Sequence, residues 1–143
     1  LPSVYDTQAG IGDSNQVETE GLSLTVEHQL SDTLTFKSIT ANRTGDTDTV
    51  IDFDNTPAPT LDIPAYYADE QFTQEFQLLF DTPRVQGVAG LFYLDAKAEG
   101  AFDTIVGNLG VVIGTGGFVE TTSYAAFADV NIDLTERLHL GLG

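Results

Sequence analysis

Acidic residues crowd one stretch of this chain. The run TGDTDTVIDFDNTPAPTLDIPAYYADE, within residues 43–70, carries Asp46, Asp48, Asp52, Asp54, Asp62, Asp69 and Glu70. The D-x-D spacing of Asp46 with Asp48, and of Asp52 with Asp54, sets carboxylates on one side of a loop, and oxygen donors of that kind suit calcium. The glycine and terminal glutamate of an EF-hand loop are absent at their fixed offsets, so the competing reading is a solvated anionic loop. Tyr66 and Tyr67, beside Pro64, offer two rings for a sugar or aromatic ligand; aromatics at a strand end also form the interfacial girdle of a membrane barrel. His28 and His139 make a paired metal site only if the ends that carry them adjoin, and otherwise are surface histidines. Glu75, Asp129 and Asp133 are candidate acids and bases, although acids lining a wet lumen need no catalytic role. The glycine-rich GTGG at residues 114–117 lacks the Lys and Ser or Thr of a phosphate-binding loop. No catalytic constellation emerges, and the chain reads as a non-enzyme.

The elements that would carry these residues are strands. In TTSYAAFADVNIDLTERLHLGL, residues 121–142, Tyr124, Ala126, Ala128, Val130, Ile132 and Leu134 fall on one face, and Ser123, Asp129, Asn131 and Asp133 on the other. After the polar link Thr135, Glu136, Arg137, the apolar alternation resumes at Leu138, Leu140 and Leu142. Upstream, Leu22, Leu24, Val26 and Leu30 alternate with polar residues. Leu34 and Phe36 begin a return strand, and Phe72, Phe76, Leu78 and Phe80 alternate with Thr73, Glu75 and Gln77. Val85 to Ala98 completes a set of about six antiparallel strands, each expected to run about ten residues. Long loops are expected at 1–20, 43–70 and 99–120, and short turns at 31–33, 81–84 and 135–137. Strands of that length, joined alternately by short and long links, are the pattern of an outer-membrane barrel.

Composition narrows the partners. A net charge of -17, from 22 acids against 5 bases, excludes nucleic acid, whose phosphates need clustered Lys and Arg. With no cysteine there is no disulfide frame, thiolate metal site or cysteine nucleophile. No stretch approaches the roughly 20 apolar residues of a membrane helix. No basic-then-apolar leader opens the chain, so Leu1 is expected not to be the true start of a secreted protein.

LSDTLTFKSITANR (residues 30–43), FTQEFQLL (72–79), VAGLFYLDAKAEGAFDT (88–104) and SYAAFADVNIDLTERLHLGLG (123–143) together resemble the barrel of TonB-dependent receptors, especially the alphaproteobacterial branch. The resemblance spans essentially the whole chain and rests on the order of the segments. It implies an all-β, antiparallel meander that is part of a transmembrane barrel of about 22 strands. It also implies a plug domain absent from these residues, contact with the TonB complex through that plug, outer-membrane lipid around the barrel, and uptake of a scarce small-molecule nutrient of the siderophore, vitamin or glycan class. No cofactor is implied, calcium at the loop aspartates aside. Two other readings stand beside it: a secreted, extracellular acidic β-domain, adhesin-like or calcium-stabilised, and a self-associating β-sheet assembly formed through open strand edges.

Overall fold

The computed structural model describes residues 3–6, 8–12 and 14–143. Six strands follow one another: β1 (Gln16–Ser31), β2 (Leu34–Asp52), β3 (Asp62–Asp81), β4 (Val85–Val106), β5 (Val111–Thr135) and β6 (Leu138–Leu142). They form one antiparallel meander in the order β1-β2-β3-β4-β5-β6, and the sheet is not closed, so β1 and β6 are its outer strands. Among the described residues α-helix is absent, and one turn of 3-10 helix, Gly107–Leu109, links β4 to β5. The all-β meander expected from alternation is the fold observed.

Five of the six strands are longer than the expected ten residues: β1 has 16, β2 has 19, β3 has 20, β4 has 22 and β5 has 25, while β6 has 5. The long loops shrink accordingly. The link expected at 43–70 is residues 53–61, the one expected at 99–120 is residues 107–110, and strand structure begins at Gln16 inside the expected 1–20 loop. Leu1, Pro2, Thr7 and Asp13 of that last loop lie outside the described residues. The physical reason is that Thr44, Thr47, Thr49, Val50 and Ile51 are β-branched and suit extended backbone. Ladder hydrogen bonds are made by the main chain, so acidic side chains do not stop a strand whose faces meet water. The turns fall inside their expected spans, at Asp32–Thr33, Thr82–Arg84 and Glu136–Arg137.

The chain divides into two compact units, one of Leu1–Glu20, Thr44–Glu70 and Lys97–Glu120, the other of Gly21–Arg43, Gln71–Ala96 and Thr121–Gly143. All three short turns belong to the second unit, and residues 53–61 and 107–110 to the first. In the second unit the β5–β6 register places Val130 opposite Leu142 and Ile132 opposite Leu140, while Asp133 stands opposite His139. The apolar and polar sets therefore occupy different faces, as alternation requires. An irregularity between Asp133 and Thr135 then pairs Thr135 with Leu138.

This sheet has almost no core. Among the described residues only Gly45, Asp62 and Ala65 are buried. On β3 the apolar Phe72, Phe76 and Leu78 are exposed, whereas the intervening Thr73, Glu75 and Gln77 are half-buried. Burial in water selects the opposite arrangement. An aromatic row adds to it: Phe36 stacks on Phe76 with centroids 6.0 Å apart, and Tyr93 lies 6.3 Å from Phe72 and 5.0 Å from Tyr124. Such cross-strand pairs stabilise a sheet locally, and here they leave a face of rings and aliphatic groups that needs an apolar layer outside the chain.

Candidate functional site

The link from β2 to β3, in the first unit, is built around two carboxylates. Asp52 ends β2, and its Oδ1 accepts the N–H groups of Asp54 at 3.1 Å and Asn55 at 2.7 Å. That turn carries the chain through Asn55, whose φ of 53° is left-handed and is tolerated by asparagine better than by most side chains. Asp54 then gathers the rest of the link. Its Oδ1 accepts the N–H of Thr56 at 3.0 Å and the Thr56 hydroxyl, and its Oδ2 accepts the N–H of Thr60 at 3.2 Å and of Leu61 at 2.8 Å. The Phe53 N–H donates to the Leu61 carbonyl at 3.0 Å and closes the loop. The free oxygen of Asp52, Oδ2, accepts the N–H of Gly10 at 2.7 Å and ties residues 8–12 to the same point.

Asp62, the first residue of β3, brings a third carboxylate to this knot. One oxygen from each of Asp52, Asp54 and Asp62 lies within 4.8 Å of the other two. The three differ in how they are satisfied. The Thr56 hydroxyl, followed by the Leu61 N–H, holds the Asp54 carboxyl below its ordinary value of 3.8. Asp62 is 4% exposed and its Oδ1 has no hydrogen-bond partner. Burial, and then the charges of Asp52 and Asp54, push its carboxyl above 3.8.

The candidate ligands Asp52 and Asp54 thus meet in space, and Asp62 joins them. Its sequence signal is slight: an aspartate between Leu61 and Ile63, where a strand begins and alternation turns it against the link. Asp46 and Asp48 lie within β2 and are exposed. Asp46 accepts a hydrogen bond from the Tyr66 hydroxyl at 3.3 Å, and Asp48 lines a cleft with Pro64, Ala65 and Tyr66. Tyr66 and Tyr67 are consecutive residues of β3, so their rings leave by opposite faces. Tyr67 covers Gly100, where an added Cβ would stand 2.7 Å from the ring.

A second cleft in this unit, of about 460 Å³, is lined by Asp46, Asp69, Glu70, Glu99 and Glu120 around Lys97, which pairs with Glu70 at 3.3 Å. His28 and His139 stand on the two outer strands, and His139 Nδ1 bonds instead to Asp133 Oδ1 at 2.5 Å. Glu75 accepts the Gln77 amide at 2.6 Å.

An open antiparallel meander of long strands, with Phe72, Phe76 and Leu78 exposed along β3 and Thr73, Glu75 and Gln77 half-buried between them, is the architecture of a transmembrane β-barrel wall. The chain matches the family described as TonB dependent receptor-like, beta-barrel, over residues 2–143, and it belongs to that family. The family is one of outer-membrane transport receptors and not of enzymes. Neither the curated proteins nor the solved structures contain a match to this chain.

Proposed function

We propose that these strands form part of the wall of a Gram-negative outer-membrane receptor of alphaproteobacterial type. That receptor takes up a scarce small molecule, of the siderophore, vitamin or glycan class, with energy delivered by the TonB complex through a plug domain. The remaining strands and the plug are its partners within the receptor, and lipid is the partner of the apolar face. One observation carries this reading: Phe72, Phe76 and Leu78 are exposed while Thr73, Glu75 and Gln77 are half-buried, an arrangement that is favourable where the outer face meets hydrocarbon. The acidic cleft around Lys97 and the clustered links of the first unit support a substrate-facing role for that unit.

The test is made on cells. The protein should fractionate with the outer membrane and require detergent for extraction, and its deletion should abolish TonB-dependent growth on one limiting nutrient. With sealed cells, trypsin should spare Arg84 and Arg137 in the short turns, which face the periplasm in this orientation. Recovery in a detergent-free soluble fraction, or cleavage at those arginines before lysis, would overturn the proposal.

A further inference from the structure

We infer that Asp52, Asp54 and Asp62 bind one calcium ion that clasps the β2–β3 link. Three carboxylates gathered within 4.8 Å concentrate negative charge that water screens poorly at Asp62, which is 4% exposed. Asp52 and Asp54 spend lone pairs on backbone N–H groups, and that alone would make them loop caps. Asp62 is different. It caps nothing, its Oδ1 is buried without a partner, and its carboxylate is directed at the other two. A buried carboxylate left this way costs free energy, and a cation at the point where the three converge removes the cost.

The geometry selects the ion. Calcium holds oxygen ligands at about 2.3–2.6 Å, so two ligands on opposite sides of it stand up to about 5 Å apart, which spans the observed cluster. All donors are hard oxygens, and calcium accepts irregular sets of six to eight with water completing the shell. Magnesium demands near-ideal octahedral geometry at about 2.0–2.1 Å and gives up its water reluctantly, so an irregular set of three carboxylates around a loop suits it less well. The three ligands come from the end of β2, the link and the start of β3, so the ion fixes both strand ends to the loop between them. Because Asp52 Oδ2 also holds the Gly10 N–H, the ion steadies the attachment of residues 8–12.

The experiment uses the full-length protein in detergent, stripped with chelator and titrated calorimetrically with calcium chloride. The intact protein should bind one more calcium than its Asp62→Asn variant, with an affinity in the range of about 10⁻⁴ to 10⁻³ M typical of extracellular sites. Asp48→Asn should bind as the parent does. A second measurement needs no variant: calcium, and not the same concentration of magnesium, should slow chymotryptic cleavage after the exposed Phe53. Equal calcium stoichiometry in parent and Asp62→Asn, or cleavage after Phe53 indifferent to calcium, would overturn the assignment.

Discussion

The ring of Phe127 on β5 occupies the space that a side chain on Gly90 of β4 would fill. An aromatic laid over a glycine of the neighbouring strand restores packing where the glycine has none and pins the pairing of the two strands. A β-carbon at Gly90 meets the far end of a mobile ring, whereas one at Gly87 meets the carbonyl of Asp129 and, at 2.8 Å, the tip of Phe80. A ring can swing aside, and a paired backbone cannot. Gly87→Ala should therefore destabilise the folded protein by the upper part of the roughly 1–3 kcal/mol typical of overpacking, and Gly90→Ala by less. Urea titrations in lipid vesicles would measure both, and adding Phe127→Ala should relieve Gly90→Ala but leave Gly87→Ala unchanged.

The facing of β5 predicts a contrast between neighbours. Val130 shares a face with Ile132, Leu140 and Leu142, and Asn131 points the other way. Val130→Arg should cost about 2 to 4 kcal/mol if the residue sits near the bilayer midplane, and Asn131→Arg much less. Equal costs in the same vesicle-folding titration, or the reverse order, would show that the apolar face does not meet lipid.

That facing was legible from residue types because a strand repeats every two residues. Val130, Ile132 and Leu140 declare it without any knowledge of neighbours, and the observed register agrees. The strand ends were not legible in the same way. Asp46 and Asp48 suggested a loop by composition, yet they lie within β2, because the adjacent strand supplies the hydrogen bonds that hold them extended.

The aspartate cluster predicts opposite pH responses in protein freed of metal by chelator. The Asp54 carboxyl titrates below 3.8 in the folded protein, so it contributes stability above that value and loses it as the pH falls. Asp54→Asn should lower the melting temperature at neutral pH, with the difference fading in acid. Asp62 titrates above 3.8, so the stability linked to it is present in acid and lost as the pH rises through its folded value. Asp62→Asn should then raise the melting temperature at neutral pH and have no effect in acid. Thermal melts of the two variants across that range, followed by far-ultraviolet circular dichroism, check both signs.

Taken alone in detergent-free buffer, the 143-residue chain should self-associate. It has two open outer strands, β1 and β6, and exposed Leu22, Leu24, Phe76 and Tyr124, with no α-helix among the described residues to cover them. The net charge of -17 opposes association at low salt, and screening sets in beyond about 10 Å at 0.1 M ionic strength. Sedimentation should show larger species as salt rises. A monomer at every salt concentration, with cooperative unfolding, would contradict this.

By itself the sequence determined the strand pattern, the two-faced character of the hairpin from Thr121 to Leu142, the places of the short turns and the strongly acidic net charge. Each depends on neighbours in the chain or on net charge. Only the tertiary structure decided where the strands stop, that Phe127 covers Gly90, and that Asp62 rather than Asp46 or Asp48 completes a carboxylate cluster with Asp52 and Asp54. Those outcomes turn on which main-chain groups of other strands are within reach and on how a short link folds back upon itself. Such meetings are set by pairing between distant segments, and no local periodicity encodes them.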